Sequence, residues 1–174
     1  MLLLVPLCAV WLSSCVEHAW EVRTYPLGQK VALGHLTYIA IDTQWYAALG
    51  DGPGARAPVN QFLLVRMSAT NGGSVEAAVP NLSVEDSAGR RYPELNDGEG
   101  VTDWIGTLRV LPPADTIGGN AVFDVPTGHY TLHILDEDSR HEARIDLPLN
   151  FQTPSTEAPG LDLLKPEPAA PAKK

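Results

Sequence analysis

The chain of 174 residues contains very little cysteine. Its two cysteines, Cys8 and Cys15, both lie close to the amino terminus. The rest of the chain therefore has no pair of thiols that could form an internal disulfide. A fold built from these residues must be held by packing and hydrogen bonds.

Basic residues are also scarce. Twelve Lys and Arg stand against 21 Asp and Glu, which gives a formal net charge of -9 at pH 7. Nucleic-acid binding depends on clustered cations that replace the counterions of phosphate groups. The charge balance therefore argues against a nucleic-acid partner, and we expect none.

No hydrophobic run is long enough to cross a bilayer as a helix, which takes roughly 20 apolar residues. The longest apolar segment, Met1 to Leu12, has the length of a signal-peptide core. Polar residues follow it at Glu17 and His18. The sequence therefore predicts a cleaved leader over residues 1–14.

The leader ends in Leu12-Ser13-Ser14-Cys15, which resembles the bacterial lipobox. That resemblance implies cleavage before Cys15 and lipidation of its thiol, and several acyl chains on one residue give firm membrane attachment. The prediction is an exported protein anchored to the bacterial cell membrane or the outer membrane, facing the periplasm or the cell surface. The alternative is a coincidental cysteine beside an ordinary signal peptide or a buried apolar strand.

Helical periodicity is absent after the leader, and short runs with a period of two take its place. In the clearest run, Gln61–Thr70, apolar side chains alternate with Arg66 and Ser68. Asn71-Gly72 then predicts a tight turn, with the next strand returning antiparallel from about Val75. Seven or eight such strands predict an all-β antiparallel sandwich, and a small closed barrel is the competing architecture.

The same pattern predicts four segments along the chain. Residues 1–14 form the leader, 15–27 the lipidated cysteine with a spacer, and 28–151 the sandwich. Residues 152–174 are rich in proline and alanine and form a disordered tail, because they bury too little to offset their ordering entropy.

Several segments resemble the telokin-like domains of bacterial lipoproteins. The resemblance covers about residues 27–136 and is carried by Gly28–Gly34, Gln61–Gly72, Val84–Tyr92, Leu111–Pro113 and Gly118–Pro126. It implies an immunoglobulin-like fold, and it carries over no catalytic residue. The glycine-rich stretch 50–54 departs from the pattern of that family.

Histidines raise the question of a metal site. His129 and His133 are predicted on the same outward face, but four residues along a strand is about 13 Å, too far for one ion. A site would need His35 or His141 from another strand. Exposed histidines on the wet face of a sheet are the simpler interpretation, and we predict neither a metal nor a cofactor.

An acidic cluster offers the other possible metal ligands. It consists of Asp136, Glu137, Asp138, Glu142 and Asp146, and Asn96–Gly100 is a shorter example. Calcium prefers oxygen ligands, but the regular ligand spacing and central glycine are missing. A solvated acidic turn is the preferred interpretation.

No arrangement typical of an enzyme is evident. No serine lies in a Gly-x-Ser-x-Gly turn, and no cysteine remains for nucleophilic catalysis. Trp104 is predicted in the core, whereas Trp45 and Tyr46, beside the glycine-rich loop, form the one predicted aromatic patch for a partner.

These observations favour a non-enzymatic, membrane-tethered binding or scaffolding module with an unidentified protein partner. Loops 44–58 and 95–104 would make its contacts. The alternative is an exported metal-binding or hydrolytic protein that uses His129, His133, His141 and the acidic turn. A purely structural component of the envelope is a third possibility.

Overall fold

A computed structural model describes residues 21–149, which form a two-layered β-sandwich. Side chains alternate along each strand, so that one face of the strand lies inside the sandwich. The first sheet has the strand order β1-β11-β10-β6-β7, the second β2-β3-β4-β9, and β5 pairs with β8. The strands are β1 Thr24–Tyr25, β2 Lys30–Leu33, β3 Leu36–Tyr46, β4 Gln61–Asn71, β5 Ala77–Val79, β6 Ser83–Asp86, β7 Arg91–Pro93, β8 Arg109–Leu111, β9 Thr116–Val125, β10 Tyr130–Leu135 and β11 Glu142–Leu147. The all-β antiparallel sandwich is thereby confirmed.

The described residues form eleven strands rather than the seven or eight expected. Four of the eleven, β1, β5, β7 and β8, have only two or three residues, which is too short for a period of two to be visible in the sequence. Thr24 and Tyr25 fall within residues 15–27, which the sequence assigned to a spacer. They nevertheless pair in parallel with Arg144 and Ile145 of β11.

The core lies between the inner faces of the two sheets. In β4, Leu63, Val65, Met67 and Ala69 are all at most 1% exposed, as their alternation with Arg66 predicted. Their partners from the facing sheet include Leu132, Ile134 and Ile145. Because both inner faces are this apolar, the sandwich holds together without a disulfide within the described residues.

Two tyrosines tie chain segments together inside this core. Tyr38 of the second sheet donates its hydroxyl to the Leu135 carbonyl of the first, at 2.7 Å. Tyr130, at the start of β10, donates to the Pro126 carbonyl at 2.6 Å, and burial raises its pKa to about 12. A tyrosine that bonds back to the backbone just upstream of its strand is a feature of immunoglobulin-like sandwiches.

The turn after β4 does not behave as predicted. Asn71-Gly72 was expected to return the chain beside β4, but β5 pairs with β8 instead. Both edges of β4 are paired, one with β3 and the other with β9, so no edge remains for β5. The buried Asn71 side chain donates to the carbonyls of Val75 and Leu111 at 2.7 and 2.9 Å, which holds the segment after β4 against β8.

Candidate functional site

Two long loops fold over the outer face of the second sheet. The first loop, residues 47–60, joins β3 to β4, and the second loop, residues 94–108, joins β7 to β8. Both belong to regions that the sequence singled out as possible contact loops. The structure therefore brings those two regions together at one end of the sandwich.

A second hydrophobic cluster holds the loops against the sheet. Its buried members are Leu49, Phe62, Leu64 and Val122, and Leu95, Val101 and Trp104 pack around them. Phe62, Leu64 and Val122 point away from the main core, on the face that an antiparallel sheet commonly exposes to water. Because the two loops cover this end of the outer face, its apolar side chains are shielded from water.

Direct contacts join one loop to the other. Arg56 of the first loop lies 3.3 Å from the Asp97 carboxylate of the second. Gly100 approaches Gly50 so closely that an added Cβ would lie 2.9 Å from the Gly50 nitrogen. Gly98 lies against the ring of Trp104, which leaves no room for a side chain there. The two loops thus form a single packed unit.

A buried ion pair closes the second loop at its base. Arg109 donates to the Glu94 carboxylate, and the two side chains are 0% and 2% exposed. Arg109 also donates to the Gly106 carbonyl, while Glu94 accepts the Leu82 amide at 2.7 Å. Burial raises the pKa of Glu94, and these two donors oppose that increase. The loop is therefore fixed at both of its ends.

Between the loops and the sheet lies an open cavity of about 410 Å³, which we call the loop groove. A further cavity of about 280 Å³ continues it along the sheet. Arg66, Asp103 and Asn120 line both. The other polar side chains of the larger cavity are Gln44, Tyr46, Asp51 and Thr102.

Arg66 lies on the floor of the loop groove, in the middle of β4. It is exposed, and its side chain makes no hydrogen bond or ion pair with any residue in the described range 21–149. Asn120 lies directly opposite Arg66 on β9, and Asp42 on β3. The Asp42 carboxylate accepts the Thr43 amide at 2.8 Å. Arg66 thus has an acid opposite it on the neighbouring strand, but its side chain forms no hydrogen bond within residues 21–149.

The groove wall has its own fixed geometry. Asn120 exchanges backbone hydrogen bonds with Asp103 and Ile105, at 2.8 and 3.1 Å, and its side chain donates to the Thr102 carbonyl at 2.8 Å. Gly119 must be glycine, since any Cβ there would overlap the Asp103 carbonyl. The buried indole N–H of Trp104 has no acceptor within residues 21–149. Backbone pairing therefore fixes Asp103 against β9, and Asp103 lines the same two cavities as Arg66.

The two aromatic residues of the predicted partner patch differ in position. Trp45 is half-buried against the main core, and its ring lies 6.1 Å from that of Tyr130. Tyr46 is 39% exposed, lines the loop groove, and donates to Gln44 at 2.6 Å. Trp104, predicted in the core, packs instead in the second cluster. Tyr46 is thus the member of the pair that faces the groove.

The histidines do not form the exposed row that the sequence suggested. His133 points outward from β10 as predicted but is only 2% exposed, because charged side chains cover it. Its Nδ1 lies 2.8 Å from Glu142, and its Nε2 lies 3.3 Å from Glu85. Burial lowers the pKa of His133. The idea that His133 is an exposed, wet-face histidine was therefore wrong.

The other predicted metal ligands are also engaged within the protein. His35 lies 2.8 Å from Glu137, His129 lies 2.7 Å from Asp146, and His141 lies 2.6 Å from Asp136. Asp136 is 4% exposed and accepts the Arg140 amide at 2.7 Å, so it organises its turn from inside. The acidic turn is thus not simply solvated.

Within the part of the chain that the structure describes, no three His, Cys, Asp or Glu side chains are grouped to hold a metal ion. The same residues include no helix of the length and apolar character needed to cross a membrane. Cys15 and its predicted lipid, the leader and residues 152–174 lie outside the described residues.

Sequence reasoning missed the loop groove because its floor comes from three strands that are far apart in the chain. Arg66 was predicted only as an outward residue, and Asp103 only as part of the contact loop 95–104, while Asn120 was not singled out. One signal was present: Arg66 is the charged residue of β4, whose other polar residues are uncharged. That signal alone does not show which residues face it.

No family model matches the chain, and no curated protein matches it. Among solved structures, the yjhA protein of Bacillus subtilis is 14% identical, with 71% of this chain and 99% of that one covered, at a TM-score of 0.57. An uncharacterized β-sandwich protein of Clostridium difficile is 10% identical, over 76% and 98% of the two chains, with a TM-score of 0.51.

The ycdA protein of Bacillus subtilis, a lipoprotein candidate, is 11% identical over 71% of this chain, with a TM-score of 0.52. The match covers 39% of that longer protein. At such low identity these similarities support the immunoglobulin-like β-sandwich fold alone. The telokin-like family remains a prediction.

Proposed function

We propose that this chain is a lipid-anchored, extracytoplasmic binding module without enzymatic activity, and that the loop groove is its binding surface. The leader and Cys15 provide the export signal and the anchor. The sandwich is a rigid support, and the two packed loops present a shaped polar cavity. The protein partner expected from the sequence would place a segment in this groove.

The loop groove is the observation that carries this proposal. It has a fixed wall, an arginine that forms no ion pair within residues 21–149, and an exposed tyrosine at its rim. Pockets with a few well-placed polar groups are the usual form of binding sites. The ycdA similarity, from a lipoprotein candidate with the same fold, supports the extracytoplasmic address.

The anchor is tested by Cys15→Ala in the full chain. Radiolabelled palmitate should enter the unchanged protein and be absent from the variant, which should also leave the membrane fraction. Cys8→Ala is the matched control, because it removes a cysteine from within the leader. Equal labelling of the Cys15→Ala protein would contradict lipidation at that residue.

The surface is tested by photo-crosslinking in intact cells. A photoreactive amino acid at Tyr46 should give one defined adduct, and the same group at Leu108, which is 98% exposed outside the groove, should not. Arg66→Gln should weaken the Tyr46 adduct. Identical adducts from both positions would argue against a binding role for the groove.

A further inference from the structure

Arg66 differs from the other arginines of the described residues. Residues 21–149 contain eight arginines, and seven of them lie within 4.0 Å of an Asp or Glu carboxylate oxygen. Arg66 is the eighth. In a chain with a net charge of -9, an arginine with no carboxylate oxygen within 4.0 Å is unusual, and this one lies on the floor of the loop groove.

The acids of the loop groove are equally unpaired. Asp51 and Asp103 line the same cavity, and neither carboxylate forms an ion pair within the described residues. Asp103 is held in place by its backbone hydrogen bond with Asn120. The lining of the groove thus holds one cation and two anions with no ion pair among them, and Asp42 lies opposite Arg66 on β3.

This charge pattern restricts the ligand. A guanidinium presents a planar fork of donors that fits the two oxygens of a carboxylate. A phosphate dianion would also meet Arg66, but it would face Asp51 and Asp103 with twice the negative charge. A ligand with one carboxylate, and with N–H groups or an ammonium nearby, matches both signs.

We propose that the loop groove binds the carboxyl-terminal end of a peptide, with its carboxylate on the guanidinium of Arg66 and its N–H or ammonium groups toward Asp51 and Asp103. This inference rests on the proposed function and specifies its ligand. Asn120 and Gln44 also line the groove, where their side chains are bonded to Thr102 and Tyr46. Tyr46 borders the end of the groove near the first loop.

Trialanine is the probe, titrated into the ¹⁵N-labelled full chain with the indole N–H signal of Trp104 as reporter, since Trp104 lines the continuation of the groove. Saturable binding with a Kd on the order of 1 mM or tighter is expected. Trialanine amide, which lacks the carboxylate, should bind at least about tenfold more weakly.

The variants assign the site. Arg66→Gln should weaken trialanine binding at least about tenfold, because it removes the charge-assisted bonds and keeps a polar side chain. Arg140→Gln is the matched control, since it removes the same charge from an exposed arginine beside Asp138 and should change Kd less than twofold. Unchanged amide spectra outside the groove would show that both variants fold.

Four results would overturn the peptide assignment: no saturable binding, equal affinity for trialanine and its amide, equal affinity for glucuronate or inorganic phosphate, and unchanged affinity in Arg66→Gln. These failures are distinguishable from failure of the proposed function. If the Tyr46 crosslink persists and depends on Arg66, the groove is still a binding surface and only its ligand has been misassigned.

Discussion

The buried ion pair at the base of the second loop makes the sharpest prediction about stability. Glu94→Gln keeps the size of the side chain and its acceptor for the Leu82 amide, but removes the charge that faces Arg109. The guanidinium is completely buried, so no water can replace the lost anion. Removing one partner of such a pair costs roughly 3–5 kcal/mol.

The assay is urea unfolding of the full chain, followed by tryptophan fluorescence. With a slope of about 2 kcal/mol/M, the expected cost lowers the midpoint by roughly 1.5–2.5 M. The double variant Glu94→Gln with Arg109→Met should recover most of this loss, because it no longer leaves an unpaired buried charge. Arg140→Met, at an exposed pair, serves as the control and should leave the midpoint nearly unchanged.

A loss below about 1 kcal/mol in Glu94→Gln would refute this reasoning, because such a value is typical of solvated ion pairs. The same result would mean that the second loop opens readily at its base. Failure of the double variant to recover stability would show that the hydrogen bonds to Gly106 and Pro80, rather than the charge, carry the effect.

Three other predictions concern single side chains. Burial lowers the pKa of His133 below its ordinary value of 6.5, so the unfolded chain binds more protons than the folded chain below that pH. Stability should therefore fall from pH 6.5 toward 5, and thermal unfolding of His133→Gln should depend less on pH over this range. Gly98→Ala should force the Trp104 ring to move and lower the free energy of unfolding by about 1–3 kcal/mol, which a lower Tm and altered tryptophan fluorescence would show. Gly54→Ala is the control and should not destabilise the protein, because a Cβ at Gly54 would lie in open space. Tyr130→Phe should cost about 1 kcal/mol in urea unfolding through loss of its bond to Pro126, and an equal loss in the exposed Tyr46→Phe would contradict that origin.

The strands of the core were predictable because their patterning is local. Residues 63, 65, 67 and 69 alternate with Arg66 and Ser68, and a period of two places them on one buried face in any sandwich. The hairpin of β6 and β7 is also local, since the two strands pair directly across Ser87–Arg90. The Asn71 turn was not, because its outcome depends on a bond to Leu111, 40 residues away.

The candidate site depended on contacts that no local pattern encodes. His133 obeys the predicted alternation but is buried, because Glu85 and Glu142 from neighbouring strands close over it. Trp45 and Tyr46 are adjacent in sequence, yet one packs on the core and the other borders the groove. Adjacent strand residues point to opposite faces, and what covers each face decides the role of each residue.

The sequence by itself determined the all-β class and the buried faces of the long strands, because burying alternate apolar side chains requires only a local period of two. It also supplied the predictions of export and lipidation through Cys15. Only the tertiary structure decided that Glu94 pairs with Arg109 and that two loops close over the second sheet. It also left Arg66 without an ion-pair partner among the described residues. All of these relations depend on which distant segments meet when the two sheets pack.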